Sequence, residues 1–340
     1  MLKIEFEVSG KLIGRGAPAY LIAEAGSNHD QSLDTARRLI DVTAAAKCDA
    51  IKFQLFDTDA IYQPDHPNYE LFKSIQLSPD WLEPLKRHAE ANGLAFLASV
   101  FDPRSADRME VVGVPAYKIA SSETTKFDLL AYIAAKGKPL FVSTGMCDLI
   151  DVMEAIACCE HNGNHAIALL QCVAVYPLRA EDANLSVMDV YRNRFNCPAG
   201  YSDHVLGTTI AVAAAARGAN VIEKHITLDR TGRGPDHSYA IEPGELTEMV
   251  RQIREVQGAI GDGTKDMHPE ERRIGRRFGL YAARDIRAGE CIAPEAIAVR
   301  QPAIGIRARH RDHVINLVAR RAILANDPIC WENIGPQGKS

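Results

Sequence analysis

The chain has 340 residues, 46% of them hydrophobic but only 6% aromatic, and a formal net charge of −5. That length suits a large domain joined to a small one, and the abundance of Ala, Ile, Val and Leu fits helices packed on a parallel sheet. The weak negative charge leaves no basic footprint for nucleic acid or an acidic membrane surface, and no apolar run nears the roughly 20 residues that span a bilayer, so small-molecule partners are expected.

In chain order, residues 1–7 alternate like a strand and lack the apolar region of a signal peptide. The cysteines at 48, 147, 158, 159, 172, 197, 291 and 330 include no Cys-x-x-Cys pair and mostly lie in apolar stretches. They read as reduced core thiols of a cytoplasmic protein.

From residue 20 one phrase recurs: a short β-prone run, a polar residue at its end, then a helical pattern. The runs occupy 20–24, 50–54, 95–99, 116–120, 140–144, 166–171, 199–202 and 221–225. Helical periodicity covers 32–46, 79–91, 104–112, 127–135, 149–160, 208–217 and 243–258. Ser78-Pro79 and Asp102-Pro103 are capped helix starts, and Asn92-Gly93, Lys136-Gly137 and Arg217-Gly218 are left-handed stops. Eight such units predict an α/β protein, a (β/α)8 TIM barrel over residues 1–262, with a doubly wound open sheet as the alternative.

Residues 263–279 form the expected linker, whose charged stretch at 270–277 reads as a solvated helix. Residues 280–340 change to short strands and turns, a small β-rich domain. There, residues 283–292 are echoed by 320–329, with Ile286 matching Ile323, Gly289 matching Asn326 and, further on, Ile297 matching Ile334. Gly and Asn at equivalent places predict one positive-φ turn used twice.

Functional groups of a (β/α)8 barrel lie at the C-terminal ends of its strands. Polar residues fall there one after another: Glu24, Lys52 and Gln54, Ser99, Lys118 with Ser121 and Glu123, Ser143, Gln171, Ser202 with His204, and His225. Lys52 and Lys118, with the hydroxyls of Ser99, Ser121 and Ser143, suggest a cationic, hydroxyl-rich wall for a phosphorylated or doubly anionic small molecule. His204 and His225 could grip one divalent metal and leave positions open for substrate and water. Glu24, Glu123 and Asp236 are candidate proton carriers or hydroxyl-binding groups. The loop 232–237 follows the eighth strand and reads as part of the same pocket.

The stretches Ala23-Glu24-Ala25-Gly26-Ser27-Asn28-His29, Lys52-Phe53-Gln54, Lys118-Ile119-Ala120-Ser121-Ser122-Glu123, Ser143-Thr144-Gly145-Met146, Tyr201-Ser202-Asp203-His204, Glu223-Lys224-His225 and Gly234-Pro235-Asp236-His237 closely resemble the sialic acid synthase family. The tail from Gly279 to Gly335 resembles that family's antifreeze-like (SAF) domain. The resemblance implies a transferase that condenses phosphoenolpyruvate with an N-acylated amino sugar such as N-acetylmannosamine or its 6-phosphate, giving a nine-carbon α-keto acid and phosphate. It implies that His204 and His225 hold Mn2+, with Mg2+ or Co2+ as substitutes. Lys52, Lys118, Ser99, Ser121 and Ser143 would meet phosphoenolpyruvate, while Glu24, Gln54, Tyr176, Ser202 and Asp236 would serve the sugar or the proton transfers. It also implies a domain-swapped homodimer in which the small domain lends the partner an arginine, Arg300 or Arg307.

The chain departs from the family pattern at Val100, at Ala174, where an asparagine is common, and at Asp30, where glycine is usual. These departures bear on the sugar more than on the reaction. The stretch 171–177 with 200–202 leans toward synthases of the 9-phosphate, and legionaminic, pseudaminic or KDN synthesis are the alternatives. Two rivals are a Schiff-base lysine aldolase using Lys52, Lys118 or Lys224 and a non-enzymatic sugar- or ice-binding protein.

Overall fold

The computed structural model describes residues 1–337. The chain divides into two compact units, Met1 to Gly261 and Asp262 onward. The first opens with an antiparallel hairpin of β1 (Glu5–Val8) and β2 (Lys11–Gly14). Eight strands then close a parallel barrel: β3 (Tyr20–Gly26), β4 (Ala50–Leu55), β5 (Ala95–Val100), β6 (Tyr117–Ile119), β7 (Leu140–Ser143), β8 (Ile167–Gln171), β9 (Ala199–Asp203) and β10 (Val221–His225), with β10 returning to β3. These are the eight runs read from the sequence. The barrel excludes the open-sheet alternative.

Strands buried on both faces are mostly apolar on both parities where they begin, and polar residues enter toward their C-terminal ends. Their side chains nonetheless alternate between two cores. Tyr20, Ile22, Leu97, Phe141, Leu170 and Val221 fill the barrel and pack with Phe6, Val8 and Ile13 of the hairpin. Leu21, Ile51, Phe96, Val142, Leu169 and Ile222 belong to the outer core, with the helices.

The expected helices occur at Leu33–Ala45, Leu82–Ala91, Pro103–Val112, Phe127–Ala134, Leu149–His161, Thr209–Ala216 and Pro243–Ile260. Asp102 caps its helix by accepting from the Ser105 amide, with Pro103 in the first turn. Gly93, Gly137 and Gly218 all adopt positive φ at the predicted stops. Ser78 makes no side-chain cap; Pro79–Trp81 is a 3₁₀ turn ahead of the α-helix. The sequence reading missed Val187–Phe195 between β8 and β9, and two short helices, Thr58–Ile61 and Tyr69–Ile75, after β4. Among the described residues no helix is long and apolar enough to cross a membrane.

In the second unit the charged stretch contains the short exposed helix Pro269–Ile274. Beyond it β11 (Gly279–Ala282) pairs with β12 (Ile297–Arg300), and β13 (Val318–Ala319) pairs with β14 (Ile334–Gly335). Gly289 and Asn326 both have positive φ, 83° and 72°, as the internal echo requires. Ile286 and Ile323 exchange two backbone hydrogen bonds of 2.8 Å, so the equivalent residues of the two repeats meet at the centre. Leu280, Ile292, Ile306, Val314, Ile329 and Ile334 complete this small core.

All eight cysteines are free, but only Cys48, Cys159, Cys172 and Cys197 are buried and Cys291 is exposed. The reading of core thiols holds for half of them.

Candidate active site

Strand alternation sorts the polar residues at the barrel mouth. Above the apolar interior, Glu24, Lys52, Gln54, Ser99, Lys118, Ser143, Ser202 and His225 share the inward parity of their strands. Backbone register sets Glu24 beside both Lys52 and His225, and Ser99 beside both Gln54 and Lys118. Glu223 lies beside Ser202 on the neighbouring strand.

Gln171 has the opposite parity. Its amide donates to the Ala183 carbonyl at 3.1 Å, so the expected strand-end glutamine turns away and Cys172 takes its place. The Cys172 thiol lies 3.8 Å from His204 Nδ1 and 3.6 Å from Ser121 Oγ. Lys224 also faces outward, buried against Asp203 at 2.8 Å.

The wall expected to be cationic is an alternation of charges. Lys52 Nζ lies 2.5 Å from Glu24 Oε2 and 3.8 Å from Glu223 Oε1, and donates to Ser99 Oγ at 2.8 Å. Lys118 Nζ lies 3.4 Å from the same Glu223 oxygen, which accepts from Ser202 Oγ at 3.0 Å. Gln54 Nε2 donates to the other Glu24 oxygen at 3.1 Å. Two lysines buried this deeply need such counter-charges, because burial of an unpaired cation is costly. Glu223 supplies one of them, and it was not among the site residues read from the sequence.

Burial raises the Glu24 pKa to about 7 even beside Lys52. Burial also opposes ionisation of Glu223, but Lys118 and Lys52 outweigh it and hold that carboxyl well below its usual range. Burial pulls the Lys52 ammonium down, yet Glu223 and Glu24 prevail and raise it; for Lys118 burial prevails and its pKa falls. Glu24 is therefore the carboxyl of this cluster that most readily carries a proton. Ser143 Oγ and Glu223 Oε2 are buried without a hydrogen-bond partner. Orphans of that kind cost about 1–3 kcal/mol each, and at a strand-end pocket they are positions a ligand can satisfy.

On the other side of the mouth the rings of His204 and His225 lie 5.6 Å apart. His204 Nδ1 donates to the Val173 carbonyl at 2.7 Å, which leaves Nε2 with its lone pair. His225 Nδ1 is buried without a partner. Burial lowers the pKa of His204 to about 3 and of His225 to about 4. Both are thus neutral imidazoles, the form that binds a metal.

Among the described residues no group of three or more His, Cys, Asp or Glu side chains is arranged to hold a metal ion. The pair nevertheless fits a divalent ion held by two protein ligands, with a carbonyl orienting one ring from behind. Tyr176 packs on His204 at 4.0 Å and on Tyr239 at 5.1 Å, and Tyr239 lies 5.1 Å from His225. Asp236 accepts from the Ser27 amide and hydroxyl, both at 3.0 Å, and from Tyr239 at 2.5 Å. Although burial opposes its charge, the hydrogen bonds from Tyr239 and from the Ser27 amide and hydroxyl favour the carboxylate, and its pKa is lowered.

The other expected residues lie further from this network. Ser121 Oγ accepts from the Gly145 amide at 3.0 Å, at the edge of the lysine wall. Glu123 is buried, and burial raises its pKa. Its hydrogen-bond partner is the adjacent Ser122, at 2.5 Å, not a member of the charged cluster. Arg300, in the second unit, is exposed and donates to Asn326. Cys172, Glu223 and Tyr239 were missed by the sequence reading, and parity along β8 and β10 would have found the first two.

The fold and site define a TIM-barrel protein with a buried, charge-alternating cluster at its strand ends, followed by a small β-rich unit. The chain belongs to the NeuB family, whose profile matches residues 39–265, and a SAF domain matches residues 279–335. It is 33% identical to the human N-acetylneuraminate-9-phosphate synthase, over 99% of each chain. It is likewise 33% identical to the N,N'-diacetyllegionaminic acid synthase of Legionella pneumophila, over 94% of this chain and 96% of the relative. The crystal structure of an N-acetylneuraminic acid synthetase from Leptospira borgpetersenii superposes with a TM-score of 0.76 at 32% identity, covering 80% of this chain and 95% of that one.

Proposed function

We propose that this protein is a phosphoenolpyruvate-dependent nonulosonate synthase. It joins carbon 3 of phosphoenolpyruvate to the aldehyde carbon of an open-chain, N-acylated amino sugar. Water adds at carbon 2, and phosphate leaves with cleavage of the carbon–oxygen bond, giving a nine-carbon α-keto acid. The observation that carries this reading is the pairing, in one buried mouth, of a lysine–glutamate alternation rich in hydroxyls with two neutral imidazoles.

An incoming phosphoenolpyruvate competes with Glu24 and Glu223 for the ammonium groups of Lys52 and Lys118. Ser99 and the unpartnered Ser143 hydroxyl add donors for its oxygens. Released from Lys52, whose ammonium opposes its protonation, Glu24 takes up a proton more readily still and is the general acid–base group of the site. Gln54, which already bonds Glu24, orients that carboxyl. Tyr176, Ser202 and Asp236 line the sugar side, where Asp236 accepts hydroxyl protons. A Mn2+ or similar ion on His204 and His225 would supply Lewis-acid polarisation of the aldehyde. Glu123, bonded only to its neighbour, is assigned a supporting part beside Lys118. The proposal includes the homodimer, with Arg300 serving the other chain's pocket and Arg307 as the alternative.

Which sugar is accepted decides between N-acetylmannosamine, its 6-phosphate and the diacetamido precursors of legionaminic or pseudaminic acid. Phosphate release from phosphoenolpyruvate across this panel tests the proposal, with sugar-dependent release expected for at least one aldose. Lys118, whose burial moves it toward a free amine, favours a second reading, the Schiff-base aldolase. Borohydride trapping with pyruvate would label Lys118 under that reading and leave it unlabelled under ours.

A further inference from the structure

The loop after β10 carries Asp236 into the site, and the residue that holds this loop in shape is its neighbour His237. His237 is buried. Its Nε2 donates to Asp30 Oδ1 at 2.9 Å, and its Nδ1 lies 2.7 Å from Thr227 Oγ1. The loop itself packs against the ring: a Cβ on Gly232 would come within 2.8 Å of it, and one on Gly234 within 2.9 Å. The loop backbone thus runs hard against one imidazole at two points, and only glycine allows that approach.

Asp30 reaches this ring from 207 residues away in sequence, in the turn after β3. It does so at φ 50°, followed by Gln31 at 52°, a left-handed stretch that costs most residues energy and that aspartate tolerates better than most. The neighbouring loop ends are tied as well, since Ser27 donates twice to Asp236 and Tyr239 donates to its other oxygen. The turn after β3 therefore grips the loop after β10 at two adjacent points. One is Ser27 on Asp236, within the site. The other is Asp30 on His237, outside it.

We propose that Asp30 and His237 form a clasp that positions Asp236 and Tyr239 for the sugar acceptor. Neither residue touches the substrates; both are positioning residues. The clasp rests on the synthase reading for its kinetic consequence but not for its structural one, and the two can be tested apart.

The test compares Asp30→Gly, Asp30→Asn and His237→Ala. Glycine suits the left-handed backbone while deleting the bond to His237, so this variant folds without new strain. Loss of a hydrogen bond to a charged group is read as about tenfold. Asp30→Gly is expected to raise KM for the acceptor sugar about tenfold and to leave KM for phosphoenolpyruvate within twofold. Asp30→Asn, whose side-chain oxygen still accepts from Nε2 and which tolerates positive φ, restores most of the loss.

Amide hydrogen exchange across residues 229–239 of the substrate-free protein gives an independent readout. It is expected to quicken in Asp30→Gly and His237→Ala and to stay near wild type in Asp30→Asn. Unchanged exchange in Asp30→Gly overturns the clasp whether or not the protein proves to be a synthase. Equal increases in both KM values would leave only a structural role and would also overturn it. If the wild type releases no phosphate while exchange follows the expected order, the synthase reading fails and the clasp stands.

Discussion

Glu223→Gln tests the charge alternation most sharply. The substitution keeps the shape and an oxygen for Ser202, which donates to Glu223 at 3.0 Å. It removes the anion that lies 3.4 Å from Lys118 and 3.8 Å from Lys52. Two buried ammonium groups would then share only Glu24. Breaking a buried ion pair from one side costs about 3–5 kcal/mol, and the separations here argue for the lower end, about 3 kcal/mol. At about 2–4 °C per kcal/mol for a domain of this size, Tm should fall by about 6–12 °C in the absence of ligand.

Phosphoenolpyruvate replaces the missing negative charge, so it should stabilise the variant more than the wild type. A tenfold gain in affinity corresponds to about 1.4 kcal/mol, or about 3–6 °C of extra upward shift at saturating ligand. Differential scanning fluorimetry with and without phosphoenolpyruvate measures both quantities. A variant within 2 °C of wild type, or one with no larger shift on ligand addition, would refute the role given to Glu223.

Further expectations follow from the same geometry. Glu24 binds a proton more tightly folded than unfolded, so between pH 4.5 and about 7 the folded chain holds the extra proton and this group's contribution to stability falls as pH rises; Glu24→Gln should flatten that part of a Tm-against-pH profile. His204→Ala and His225→Ala should each abolish Mn2+ binding measured by calorimetry while leaving the far-ultraviolet circular dichroism unchanged. Lys224→Met leaves Asp203 buried without its partner outside the pocket, and should lower Tm by several degrees with KM for both substrates unaltered. Under the proposed homodimer, Arg300→Ala and His204→Ala chains, each inactive alone, should regain activity when refolded together, because one pocket of a mixed dimer would then have every residue.

The barrel was legible because each strand, buried on both faces, is a short run dominated by apolar residues closed by a polar residue. The helix Val187–Phe195 was not, since its buried side is only Met188 and Tyr191 in a polar setting. The site was legible as strand ends but not as a charge balance. Lys52 and Lys118 stand out in a sequence, whereas Glu223 reads as one letter of Glu-Lys-His until parity turns it and His225 inward and sends Lys224 out. The same parity exchanges Gln171 for Cys172. Bonds such as Asp30 to His237 join turns from opposite ends of the barrel sequence. No local pattern announces them, because only closure of β10 on β3 brings the two loops together.

The central claim is that this pocket joins phosphoenolpyruvate to a sugar aldehyde with carbon–oxygen cleavage. Turnover in H₂18O with the best acceptor of the aldose panel tests it most directly, by mass spectrometry of both products in short incubations with the keto acid trapped by reduction. The account predicts sugar-dependent release of unlabelled phosphate and one 18O at carbon 2 of the nine-carbon acid. Label in the phosphate, or phosphate release that needs no sugar, would contradict it.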